Sequence, residues 1–167
     1  NQRYASYICC MKGEWMKHRF SGGALALDLV NTVVRRGDAS RVLDRLASAA
    51  DANLFAEAAV EFRTDELARV FEFTPISDLE LGKLLELRER IYAYVVLDQE
   101  NDAARLLALS QLLGASERAL ADCRPNSLLV QTVFSWMRRN AREKRARMRA
   151  CPACGWIFLD KSRNASR

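Results

Sequence analysis

Apolar positions recur at three- and four-residue intervals along most of this chain, a spacing that predicts helices. In "SGGALALDLVNTVVRR", Ser21 is a suitable N-cap and the apolar run extends through Val34. Arg35 and Arg36 then fall in the last turn, and Gly37 stands where a C′ glycine belongs. "DASRVLDRLASAADANLFAEAAVEF" predicts two short helices capped by Ser40 and Ser48, with Leu43, Leu46, Leu54, Phe55 and Val60 facing inward. The clearest pattern is "TPISDLELGKLLELRERIYAYVVL": Pro75 breaks the preceding segment, Ser77 and Glu80 form a capping box, and Leu84, Leu87, Ile91 and Val95 share a face. "DAARLLALSQLLG" is expected to stop at Gly114, followed by a short helix in "SERALADC" broken by Pro125. A last, long helix starts at Ser127 with an apolar stripe of Leu129, Val133, Trp136 and Met137, and continues as a basic helix through "RRNAREKRARMRA". No internal repeat and no paired strands before residue 150 stand out, so the expected class is all-α, a helical bundle.

Composition agrees, because glycine (7) and proline (3) are scarce while half the residues are apolar. A length of 167 residues suits one substantial core with a small appendage. No apolar run approaches the roughly 20 residues that cross a bilayer, and the first residues lack a secretory apolar segment, so a soluble, cytoplasmic protein with no membrane partner is expected. Residues 1–19 read as an N-terminal lead without a pattern of their own. Five cysteines, two of them adjacent, point to reduced thiols rather than to a disulfide framework. Charge is divided unevenly: from Ser135 to Arg167 ten Lys/Arg face two Asp/Glu, whereas the preceding residues hold sixteen basic and nineteen acidic, a net of −3. An acidic body with a basic end suggests a polyanionic partner.

That end contains Cys151 and Cys154, the spacing at which a tight turn brings two sulfurs to about 2.3 Å from one Zn²⁺. Gly155 can adopt the positive φ such a turn needs, and Trp156 and Phe158, alternating with Ile157 and Leu159, predict a short strand with one face on the metal site. A thioredoxin-type redox pair is the competing reading. In that motif a strand precedes the cysteines and a helix follows, the reverse of the order expected here.

"RACPACGWIFLDKSRNASR" resembles the first half of the CGNR zinc finger, matching from Cys151 to Arg167 at Gly155, Trp156, Phe158, Asp160, Ser162, Arg163, Asn164, Ser166 and Arg167. "FSGGALALDLVNTV" (Phe20 to Val33) resembles the opening of the helical ABATE domain that precedes this finger, and "LRERIYAYV" resembles its central helix. The resemblance implies a stress-induced transcription regulator: residues 20–145 an ABATE-like helical domain, residues 146–167 the first half of a finger that binds zinc and DNA. Cys151 and Cys154 would be two of four zinc ligands, and the second cysteine pair and the Cys-Gly-Asn-Arg are expected past Arg167. Cys9, Cys10 and Cys123 are weaker candidates for the missing ligands, since adjacent cysteines chelate one metal poorly. With only two thiolates the segment from Cys151 onward is expected to be metal-free and dispensable to the body.

As a helix, the basic stretch places Arg138, Arg142, Arg145 and Arg149 on one face, and with Lys161, Arg163 and Arg167 these are the expected phosphate contacts. Asp28, Asn31 and Thr32 share a face of an apolar helix. Either they form a core hydrogen-bond network with an arginine such as Arg88 or Arg90, or they line a pocket for a small-molecule effector. His18 is the sole histidine and has no nucleophile partner, so no catalytic residue is expected. The alternative to a DNA-binding regulator is a small-molecule-binding helical protein whose finger is a structural element or a homodimer contact.

Overall fold

The computed structural model describes residues 15–67, 71–97, 101–121, 124–140 and 147–162. After a 3-10 turn at Lys17–Arg19 come α1 (Leu25–Val30), β1 (Val33–Val34), β2 (Leu43–Asp44), α2 (Ala49–Phe62), α3 (Asp78–Val96), α4 (Asp102–Leu120), α5 (Leu128–Arg139), β3 (Met148–Ala150) and β4 (Ile157–Leu159). Helices dominate, and the two small sheets are antiparallel pairs, β1 with β2 and β3 with β4. No described helix is long and apolar enough to cross a membrane.

Local signals place most helix starts. Ser77 Oγ accepts from the Glu80 N–H while Glu80 returns a bond to the Ser77 N–H at 2.9 Å, closing the capping box of α3. Ser48 caps α2 through the Asp51 N–H, and Ser127 caps α5 through the Leu129 N–H. Leu84, Leu87 and Ile91 of α3 are fully buried, α3 packs chiefly on α4, and α5 touches both helices. At the centre lies α1, all six residues buried, touching α3, α5 and β4. Phe20 stacks on Phe55 at 5.4 Å and Trp15 meets Phe55 edge-on at 5.1 Å, so the described end of the N-terminal lead packs on α2.

Four expectations need correction. The first helix is not a run from Ser21 to Arg36. Its N-cap is Ala24, and Gly22 and Gly23 form a close-packed entry, where a Cβ on Gly22 would lie 2.8 Å from Leu27 Cβ. At the other end Thr32 Oγ donates to the Leu29 carbonyl, and the β-branched Val33 and Val34 leave the helix to pair with Leu43 and Asp44. The second concerns the next segment: Ser40 caps no helix, and of the residues expected to face inward Leu43 on β2 and Leu54 on α2 are exposed. Third, Gly114 does not stop its helix. The cost of a mid-helix glycine, roughly 1 kcal/mol, is outweighed by Leu112, Ala115 and Ala119, which are buried on both sides of it. Fourth, α5 ends at Arg139 with Asn140 as C-cap, and Met148–Ala150 is a strand paired with β4, so a continuous basic helix to residue 150 does not form. Pairing with the apolar β4 buries Met148, which a solvated basic helix would not do.

Candidate metal knuckle and its junction with the body

Between β3 and β4 the chain turns at Cys151–Cys154, and Gly155 takes φ 74°, the left-handed value expected of it. The Gly155 N–H donates to the Cys151 carbonyl, and the Cys151 N–H to the Trp156 carbonyl, each at 2.8 Å. This geometry aims backbone N–H groups at sulfur. The N–H groups of Cys154 and Ala153 hold the Cys151 thiol below its ordinary pKa. Burial pushes Cys154 up, with the Trp156 N–H pulling against it. Both cysteines are free thiols, partly exposed and within hydrogen-bonding reach of each other. Such a turn suits two thiolates on one cation. Among the described residues no group of three or more His, Cys, Asp or Glu side chains could hold a metal, so the pair has no third such side chain beside it.

The hairpin docks on the two ends of α1. Asn31, the C-cap of α1, donates from Nδ2 to the Ile157 carbonyl and accepts at Oδ1 from the Ile157 N–H, both at 2.8 Å. One side-chain amide thus serves as a strand partner for one residue of β4. At the entry of α1, the Leu159 N–H donates to the Gly22 carbonyl at 3.1 Å, and a Cβ on Gly23 would lie 3.3 Å from Leu159. The Arg35 N–H reaches the Cys154 carbonyl at 3.3 Å. Ile157 is fully buried and Met148 is 8 % exposed, both within the core cluster of the bundle. The alternation seen in the sequence is real, but its inward residue is Ile157, facing the body, while Trp156 and Phe158 are only half-buried. The segment expected to be an independent tail shares the bundle's core.

Asp28, Asn31 and Thr32 are all buried, yet they point to different partners. Asp28 accepts from the Gly22 N–H at 2.8 Å and from Arg63 Nε, and Arg63 also donates to the Phe20 carbonyl. Burial lifts the Asp28 carboxyl to about 6, against the pull of Arg63 and the Gly22 N–H. Thr32 Oγ accepts from Arg88 at 3.1 Å, and Arg88 also grips both oxygens of Asp44. Arg88 thus joins the group through Thr32, as expected, whereas the partner of Asp28 is Arg63 and Arg90 takes no part. Arg90 bonds Gln111 on the surface at 2.9 Å. The sequence carried no signal for Arg63, because it lies just past the end of α2, thirty-five residues from Asp28.

The expected phosphate contacts are dispersed. Arg138 lies on α5 with Glu66 at 3.8 Å, its neighbour Arg139 is bonded to Glu66 and Asp65, and Arg149 lies on β3 across from Phe158. Lys161 is exposed after β4, whereas Arg142, Arg145, Arg163 and Arg167 lie outside the described residues. His18 is exposed on the 3-10 turn. A shallow groove of about 530 Å³ between α4 and α5 is lined by Leu113, Ser116, Glu117, Leu120, Ala121 and Met137, which gives it an apolar floor and one acidic anchor.

No curated protein and no solved structure matches the chain. The ABATE family model, described as "Putative stress-induced transcription regulator", matches residues 23–133, from the entry of α1 into α5, and the chain belongs to that family.

Proposed function

We propose that this regulator binds DNA through a C-terminal zinc finger of the CGNR type, with the helical body as its sensor. The family description supports regulation. The observation that carries the finger is the Cys151–Gly155 turn between β3 and β4, with Gly155 at positive φ and its N–H on the Cys151 carbonyl. Cys151 and Cys154 would hold zinc, with the remaining two ligands in the second half of the finger. Bound zinc would supply folding energy to a module with too little core of its own. Arg138, Arg142, Arg145, Arg149, Lys161, Arg163 and Arg167 are the proposed phosphate contacts; of these, Arg138 on α5 and Arg149 on β3 do not share one helix face. Nothing in this reading needs a catalytic group, and the protein acts by binding.

The test is titration of the full-length, zinc-loaded protein with duplex DNA at several salt concentrations. Six neutralised phosphates give a log–log slope of about −5. Absence of binding at low salt overturns the reading.

One observation favours a second reading, in which the finger is a structural element of a ligand-binding body: Ile157 is fully buried and clamped by Asn31. In that case zinc removal lowers the melting temperature of the whole chain, and duplex DNA does not bind at any salt concentration.

A further inference from the structure

We propose that Arg45 and Trp156 form a binding site for a small oxyanion at the junction of body and knuckle. The proposal goes beyond the DNA-binding reading and does not depend on it.

Several buried and half-buried arginines among the described residues hold carboxylates: Arg63 with Asp28, Arg36 with Glu89, Arg88 with Asp44, Arg139 with Glu66. Among the described residues Arg45 has none. Its chain neighbour Asp44 is occupied by Arg88 through both oxygens, at 2.8 and 2.6 Å. The Arg45 backbone is anchored by its N–H to the Thr32 carbonyl at 3.1 Å, and its guanidinium lies over the Trp156 ring, 5.9 Å from the centroid. Arg45 Nη1 is buried without a hydrogen-bond partner, and so is Trp156 Nε1. Buried donors without acceptors are rare because each forfeits its water and gains nothing in return. The other charge acting on Arg45 is a second cation, Arg19, which is 5 % exposed and lies 5.7 Å from the Trp15 ring centroid. Burial, and then the charge of Arg19, pull Arg45 down to about 10.

A donor pair without acceptors, one of them on a cation that no described carboxylate meets, lacks what an oxyanion supplies, namely acceptor oxygens and a counter-charge for Arg45. The two orphan donors are shielded from solvent, so the occupant is small: inorganic phosphate, or a compact metabolite with one phosphate or carboxylate head. A DNA backbone is too bulky to reach them. Arg45 belongs to the body and Trp156 to the knuckle, so a bound anion fastens one to the other.

The experiment is thermal unfolding of the chain in sodium phosphate, sulfate and acetate against chloride at matched ionic strength, for the wild type and Arg45→Met. It is paired with NMR titration of the Trp156 indole N–H, assigned with Trp156→Phe. In the wild type an oxyanion raises the melting temperature saturably, by roughly 5–10 °C at about 100 times Kd, and moves the indole signal downfield over the same range. Arg45→Met, no less stable than wild type in chloride, loses both responses. Activity of phosphate and sulfate with acetate silent assigns a tetrahedral oxyanion, and the reverse assigns a carboxylate. An equal rise in both proteins, which is the general effect of excluded salts, overturns the proposal. So does an indole signal that stays fixed in the wild type, the result expected if buried water alone satisfies the donors. The indole titration needs only the wild type, so it decides the matter even if Arg45→Met fails to fold.

Discussion

The α3–α4 pair and the β3–β4 hairpin are held in opposite ways. The helices pack on each other, with Leu84, Leu87 and Ile91 buried on one and Leu112, Ala115 and Ala119 buried on the other, and Ser77 and Asn101 cap their starts. The hairpin has strands of three residues, two apolar anchors in the core, and a set of directional bonds to α1. The helix pair spreads its burial over many side chains, whereas the hairpin concentrates its attachment on Asn31, Ile157 and Met148. The dependence also runs the other way, because a six-residue helix such as α1 is too short to persist by itself and takes part of its support from β4.

Truncation after Arg147 is the severest test of this difference. It removes Met148 and Ile157 from the core and leaves the buried Asn31 amide without partners. An apolar loss of this size together with the orphaned amide costs roughly 3–8 kcal/mol. Urea unfolding of the truncated and intact chains measures it. An unchanged midpoint would make the hairpin a passenger of the bundle.

Asp28→Ala comes next. It strips Arg63, which is 8 % exposed, of its buried carboxylate and removes the acceptor for the Gly22 N–H at the entry of α1. Breaking a buried pair from one side costs about 3–5 kcal/mol. Because Gly22 also receives the Leu159 N–H, amide exchange in β4 should quicken along with exchange in α1. Quickening in α1 alone would uncouple the two regions.

The same contrast explains what the sequence disclosed. Some contacts within about four residues were legible, namely the Ser77–Glu80 box, the Ser48 cap, the Gly155 turn and the strand behind it, whereas Ser21, Ser40 and Gly114 carried local signals that the packing overrode. Each of these is a local arrangement whose chemistry is written in adjacent residues. The Asn31–Ile157 clamp spans 126 positions and the Asp28–Arg63 pair 35, and no periodicity marks either. Polar residues at 28, 31 and 32 were visible as a group, but not that their partners diverge. The C-terminal boundary was drawn where the apolar stripe of α5 stops, since nothing in the sequence indicates that Met148 and Ile157 re-enter the core.

Asn31→Ala isolates the clamp from the rest of the hairpin. It leaves both backbone groups of Ile157 unpaired while keeping the Ile157 side chain in place, for a cost of about 1–3 kcal/mol. Denaturant melts give the total. Combining the substitution with the truncation gives the coupling: once the hairpin is gone, Asn31→Ala should add far less than it does alone. Full additivity would mean that Asn31 acts on α1 and not through β4.

The smallest effect tests the helical side. Gly114 lies inside α4, and a Cβ there meets only Arg118 Nη1 at 3.5 Å, an ordinary contact with the end of a flexible side chain. Gly82 in α3 has nothing within 4 Å. Alanine at either position restricts the unfolded chain and suits the helix, so Gly114→Ala and Gly82→Ala should each stabilise by about 0.5–1 kcal/mol. That is a rise of roughly 1–4 °C in melting temperature for a domain of this size. Had α4 ended at Gly114 in a left-handed cap, alanine there would destabilise while Gly82→Ala still helped. The sign of the Gly114→Ala shift therefore separates one continuous α4, packed along its whole length on α3, from two short helices joined at a glycine.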